Sequence, residues 1–261
     1  MSEKEYHINL APEDIGKYVL TPGDPKRVEK IAHFLDRSYY VGSNREYTTY
    51  CGYLEGELVT VISSGIGGPS LAIAIEELHK IGAHTVVRIG TCGSMQPHIQ
   101  TGSVIVPYGI VRGGKTGEEY LPPEYPAVPH PDVLYALLES AKSSKNPVYS
   151  GITHCKDAFF KEEPDLMPNT EGVKNYWKMF RKANVLCSEM ESDTMFVVAS
   201  IRGMRAGAVF CAIGSVEGSP ITAIVGVEAA IQVAVEGLRI VIKRDHEKGS
   251  INPQVPQILL R

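Results

Sequence analysis

Paired cysteines, metal-binding histidine spacings and long apolar runs are all missing from this chain of 261 residues. Its five cysteines (Cys51, Cys92, Cys155, Cys187 and Cys211) are odd in number and widely spread, with no C-x-x-C pair. That argues against a disulfide framework and a zinc knuckle, and for a reducing compartment. Neither H-E-x-x-H nor G-x-S-x-G occurs, so zinc-hydrolase and serine-hydrolase chemistry have no motif behind them. Apolar runs are broken by glycine well short of the roughly 18 residues a membrane helix needs. The segment MSEKEYHINL is charged where a secretory signal would be apolar. A soluble, cytoplasmic protein with no membrane partner is expected. A basic excess is missing too: 26 Lys and Arg against 30 Asp and Glu leave a net charge of -4, which disfavours nucleic acid as the main partner.

The composition, 43% hydrophobic and 21% charged, is that of an ordinary globular protein able to bury a sizeable core. Without repeats or low-complexity linkers, one domain over 1–261 is expected. Short β-branched runs alternate with helical patterns: Tyr18–Leu20 then Pro25–Phe34, Leu58–Ile62 then Ser70–Ile81, followed by Val86–Ile89, Val104–Val106, Val148–Ile152, and Ala208–Ile213 then a helix over Ile221–Asp245. That rhythm predicts an α/β fold with parallel strands and crossover helices. Gly113–Pro131 and Phe159–Thr170 lack periodicity and read as long loops. Strands end in Gly-rich turns at Thr21–Pro25, Ser63–Pro69 and Gly90–Ser94, where α/β sheets hold ligands.

Four constellations could carry chemistry. In TPGDPKR (Thr21 to Arg27), Gly23 lets backbone amides approach closely and Pro25 suits a first helical turn, the geometry of an anion cradle at a helix N-terminus. Arg27 in that turn either serves an anion or is simply solvated. In VVRIGTCGS (Val86 to Ser94), Arg88 lies in an apolar strand and needs a ligand anion or a carboxylate partner; Thr91 sits just past the strand end. The run Gly65–Ser70 nearly matches a dinucleotide fingerprint, but the next strand ends in Gly90 where a ribose-binding acid would stand, so a tight strand-to-helix turn explains it better. In CSEMES (Cys187 to Ser192), read as opening a helix, Glu189 and Glu191 could accept hydrogen bonds from a diol beside the apolar face of Met190; the alternative is capping by Ser188 with acids in the first turn.

Taken in order, TPGDPKR, NREY (Asn44 to Tyr47), SSGIGGPS, RIGTCGS and SEMES give a chain that resembles the hexameric-class nucleoside phosphorylases, most closely the uridine phosphorylases. The resemblance runs from about Tyr6 to the last helix. It implies one α/β domain with a mixed central sheet flanked by helices, and phosphorolysis of a nucleoside, uridine first, to ribose 1-phosphate and free base. Phosphate would be the co-substrate, with no organic cofactor. The implied phosphate site is Gly23, Arg27, Arg88 and Thr91 with Arg45 of a neighbouring subunit. Ribose would meet Thr91, Glu189, Met190 and Glu191 with a neighbour's His7. Arg88, Thr91 and Glu191 would be the catalytic set. Phe159, Tyr6, Lys161 and Glu162 would face the base, and Glu46, Ile66 and Ser70 would hold a monovalent cation such as K+ between subunits. A homo-oligomer is implied, with a dimer as its smallest active unit and a hexamer as the assembly.

The chain departs from the uridine branch in one place. The Gln and Arg that read uracil there fall on Lys161 or Glu162 and on Asp165 or Leu166, and a carboxylate opposite a uracil anion would be repulsive unless protonated. The purine branch's Asp falls near Ser215 and Glu217. A purine nucleoside phosphorylase, a water-using nucleosidase of the same fold and a nucleoside-binding protein without turnover therefore stand as alternatives. Arg27, Arg45 and Arg88 favour phosphate over water.

Overall fold

The computed structural model describes residues 2–216 and 226–249. Among the described residues nine strands form one sheet: β1 (Tyr18–Pro22), β2 (Asp36–Asn44), β3 (Tyr47–Leu54), β4 (Glu57–Ile62), β5 (Thr85–Ser94), β6 (Val104–Gly113), β7 (Val148–Lys156), β8 (Cys187–Glu189) and β9 (Arg205–Ser215). Their order is β2-β3-β4-β1-β5-β8-β7-β6-β9, and β9 also pairs with β5. The strands from β5 to β9 thus close into a ring, while β1 to β4 extend from it as a wing. Helices α1 (Val28–Ala32), α2 (Gly68–Lys80), α3 (Thr116–Tyr120), α4 (Pro131–Ala141), α5 (Thr170–Lys182), α6 (Ser192–Ile201) and α7 (Val227–Lys248) flank the sheet.

Central strands read as apolar runs because they are covered on both faces: every residue of β1 is buried. One face packs on α2 and α6 through Leu71, Ile75, Leu78, Phe196 and Val198. The other packs on α4 and α7 through Val133, Leu137, Ile231, Ala234, Val235 and Leu238, the three-and-four spacing of an amphipathic helix. The expected helix over Ile221–Asp245 begins at Val227; its first residues, 221–225, lie outside the described residues.

The sheet is mixed, as the family resemblance implies, and the parallel strands read from the sequence rhythm make up only part of it. β1 is parallel to β4 and β5, but β2, β3 and β4 form an antiparallel meander. The first hairpin escaped the sequence reading because β2 is largely exposed and carries two register shifts, which blur the period-two pattern. Arg45 and Glu46 are its two-residue turn, with Arg45 at φ +53. The expected loop Gly113–Pro131 contains α3 and a bridge from Ile110 to Ala127. Phe159–Thr170 holds two short 3-10 turns, Phe159–Glu162 and Pro164–Leu166. Thr91 lies within β5, and Cys187–Glu189 is a strand, with the helix starting only at Ser192.

Far from the ring mouth, α7 is tied to the sheet by a buried polar network. Arg205 Nη1 and Nη2 donate to Asp245 at 2.9 and 2.5 Å, and Tyr18 OH donates to the same carboxylate at 2.9 Å. Arg205 Nε reaches Thr85 Oγ1 at 3.0 Å. Removing one member strands a buried guanidinium. Asp245→Ala is therefore expected to destabilise the protein by about 3–5 kcal/mol, read as a lowered urea midpoint; a change below about 1 kcal/mol, the scale of an exposed pair, would show the network to be solvent-screened.

Candidate functional site

The mouth of the ring is a cavity of about 970 Å³. The turns after β1, β4 and β7 meet there with the carboxyl ends of β5, β8 and β9, as the ends of α/β strands are expected to do. Of the residues singled out in the sequence, Gly23, Arg27, Glu46, Ile66, Arg88, Thr91, Phe159, Glu162, Glu189, Met190 and Glu191 line it.

Arg88 has the carboxylate partners that its burial calls for. Its side chain is buried, its Nε donates to Glu189 Oε2 at 3.2 Å, and its Nη2 donates to Glu191 Oε2. Its Nη1, however, has no hydrogen-bond partner among the described residues, and neither does Nη1 of Arg27. Burial works against the Arg88 charge, yet Glu191 and Glu189 together raise its pKa. Burial, with repulsion from Arg88, lowers that of Arg27 against the pull of Asp24. Arg27 and Arg88 thus each keep one buried N–H beside the cavity that no acceptor among the described residues takes, the kind of donor that suits an anion. Gly23 sits against them: a Cβ there would lie 3.0 Å from Gly65 O and 3.9 Å from Arg88 Nη1. The turn after β1 opens a short 3-10 helix, Pro25–Arg27, whose Lys26 amide donates to the Asp24 side chain at 2.9 Å.

The carboxylates differ in what they leave free. Glu189 accepts from the Glu191 amide at 3.1 Å and from the Ser192 amide and hydroxyl at 2.9 and 3.0 Å, so it, and not Ser188, caps α6. Glu191 accepts the Gly67 amide at 2.6 Å, and burial raises its pKa despite the opposing charge of Arg88. The Gly65–Ser70 turn thus serves to hold Glu191, with Gly67 at φ +90 as the N-cap of α2.

Other candidates lie outside the cavity lining. Lys161 points away: its ammonium sits 3.4 Å from the Tyr176 ring centroid. Its placement in the base site is corrected, since the cation–π contact and burial against α5 draw it to the far side of the turn. Tyr6, His7 and Arg45 gather on the wing instead. Tyr6 packs edge-on to His7 with centroids 4.8 Å apart, and the Arg45 guanidinium lies 5.8 Å from the Tyr6 ring. Glu77 accepts from His7 Nδ1 at 2.6 Å, and Asn44 Nδ2 donates to His7 O at 2.7 Å. Ser70 does not line the cavity, but its hydroxyl donates to Glu46 at 2.7 Å, which lowers the Glu46 pKa. Ser215 lines the cavity at the end of β9, whereas Glu217 lies outside the described residues.

Lys156, Ser188, Glu163 and Ile213 were missed and also line the cavity. Lys156 carried the signal that exposed Arg88, a cation at the end of an apolar strand. Among the described residues, no group of three or more His, Cys, Asp or Glu could hold a metal, and no helix is long and apolar enough to cross a membrane.

A family model described as the Phosphorylase superfamily matches residues 17–241. A uridine phosphorylase of Treponema pallidum is 44% identical over 92% of this chain and 95% of its own length. One from Thermococcus kodakarensis is 39% identical over 94% of this chain and 89% of its own length. A guanosine phosphorylase of Halorubrum lacusprofundi is 36% identical over 79% of this chain and 81% of its own.

Beneath the cavity, His154 bonds Ser188 Oγ at 3.0 Å and Tyr176 OH at 2.6 Å. Burial, reinforced by Lys156 and Lys161, pushes its pKa down to about 3. The fold holds it neutral, while an unfolded chain protonates it near 6.5. Its contribution to stability is complete above pH about 6.5 and falls as the pH drops toward the folded value, by up to about 1.4 kcal/mol per pH unit. His154→Gln should flatten the dependence of the urea midpoint on pH between about 6.5 and 4; an unchanged slope would mean His154 is already charged in the fold.

Proposed function

The chain belongs to the phosphorylase superfamily, and from that premise we propose that it is a pentosyltransferase cleaving uridine with phosphate to give ribose 1-phosphate and uracil. The observation that carries this reading is the pair of unmet guanidinium donors of Arg27 and Arg88 beside one cavity. Phosphate takes those donors with Gly23 and Thr91. One phosphate oxygen attacks the anomeric carbon, the N-glycosidic bond breaks, and its electron pair leaves on the base. Positive charge that develops on the ribose is met by the phosphate, so the arginines act by positioning the nucleophile. Met190 and Glu191 face the sugar, with Thr91 between sugar and phosphate. Glu189, spent on Arg88 and on the α6 amides, acts as a positioning residue. Phe159 and Glu162 border the base.

Tyr6, His7 and Arg45 complete a neighbour's site in a homo-oligomer, since they cluster together on a wing whose own cavity they do not line. A monovalent cation between subunits would use Glu46, Ser70 and Ile66; the ionised Glu46 suits it. Phosphorolysis of a purine nucleoside is the second reading, favoured by the guanosine phosphorylase relative.

Arg27→Ala is expected to lower kcat/KM for phosphate by about 2–4 kcal/mol in transition-state terms while the protein stays folded, because Arg27 holds no carboxylate of the core. Wild-type turnover in that variant would reject the phosphate assignment.

Site sharing has its own test. Arg27→Ala and Arg45→Ala proteins, each inactive alone, are dissociated and reassociated together. Mixed dimers would regain one intact site of two, about a quarter of wild-type activity in a random mixture. No recovery in verified mixed dimers would place both arginines in the same subunit's site.

A further inference from the structure

The base end of the cavity holds an ion pair that the roles above leave unexplained. Lys156 ends β7 and is 3% exposed. Its Nζ lies 2.6 Å from Glu162 Oε1 and donates to Ser188 Oγ at 3.2 Å. An ammonium carries three donors, so one is left for a ligand. Glu162 Oε2 lies against Gly93, where a Cβ would come within 2.9 Å of it; only a glycine leaves room for the carboxylate there. Its seating comes from the 3-10 turn Phe159–Glu162, in which positions three apart share a side. Phe159 and Glu162 therefore both border the cavity while Lys161 faces α5. Trp177 Nε1 pins the turn by donating to Lys161 O at 2.6 Å.

A buried donor beside a half-buried acceptor fits a ligand edge with an acceptor beside a donor. The carbonyl and adjacent ring N–H of uracil form such an edge, and so do those of 6-oxopurines. Cytosine and adenine offer the reverse, an amino group beside an unprotonated ring nitrogen. That reversal would set amino hydrogens against the ammonium and a lone pair against the carboxylate. We propose that Lys156 and Glu162 read the oxo–imide edge of the base, so that the site takes uridine and 6-oxopurine nucleosides and rejects cytidine and adenosine. This rests on the phosphorolysis reading. The pairing also removes the repulsion expected of a lone acid: Glu162 is offset by Lys156, whose free N–H takes up charge on the departing base. A cavity of about 970 Å³ accommodates either ring size together with ribose and phosphate.

The test measures kcat/KM at saturating phosphate for uridine, inosine, cytidine, adenosine and 3-methyluridine, which lacks the imide N–H. Wild type should prefer uridine and inosine to cytidine and adenosine by at least about 100-fold, and uridine to 3-methyluridine by a similar factor. In Glu162→Gln the 3-methyl penalty should shrink below about 10-fold, with the KM for phosphate, which a lost fold would raise, held within about threefold. Should stranding Lys156 unfold that variant, Lys156→Met with Glu162→Leu removes both charges together and should abolish the preference for uridine over cytidine. A 3-methyl penalty undiminished in Glu162→Gln, or cytidine cleaved as well as uridine by wild type, overturns the proposal. Absence of phosphorolysis with every nucleoside overturns the function reading instead; calorimetry of uracil and hypoxanthine against cytosine and adenine then decides the pair, with equal affinities rejecting it.

Discussion

A guanidinium buried in the middle of a sheet cannot be left without anions, and Arg88 organises its surroundings accordingly. Glu189 comes from a strand of only three residues and Glu191 from the N-cap of α6; their carboxylates hold β8 and α6 against β5. Each carboxylate then does a second task. Glu189 takes the first amides of α6, and Glu191 takes the Gly67 amide at the start of α2. One cation thereby fixes four element ends around the ring mouth. Its demand is still not fully met, and the remaining donor is what a ligand anion would satisfy.

The arginine end of the cavity was legible in the sequence because it obeys local rules. A charge inside an apolar strand, as at Arg88, and glycines at strand ends, as at Gly23 and Gly67, are visible without knowing what lies opposite them. What was illegible depended on which way a short turn faces. Lys161 and Glu162 are adjacent, and no periodicity distinguishes them; Trp177 and Tyr176, on a helix far along the chain, pull one outward and so turn the other in. The β2–β3 hairpin was illegible for a different reason. Its exposed first strand alternates poorly, since one of its faces has no core to meet within this chain.

The ring closure explains why an irregular assembly of turns can be held still. β9 runs along β5 for ten paired positions and also meets β6 at Val104 and Ile105. The strands that carry Arg88, Lys156, Glu189 and Ser215 are therefore fastened from both sides. An open sheet would leave one of them at an edge, free to twist.

The pinning of the Phe159–Glu162 turn from outside has a bearing on how such a site changes over generations. Its anchors are a main-chain carbonyl and a ring on α5, neither of which constrains the identity of the two side chains that face inward. Phe159 and Glu162 can be exchanged, with Lys156 and Gly93 as the linked positions, while the carboxylates on Arg88 stay where they are. Selection, natural or in the laboratory, can therefore vary this end of the cavity within a library of four codons while the end that holds Arg27 and Arg88 is carried along unaltered.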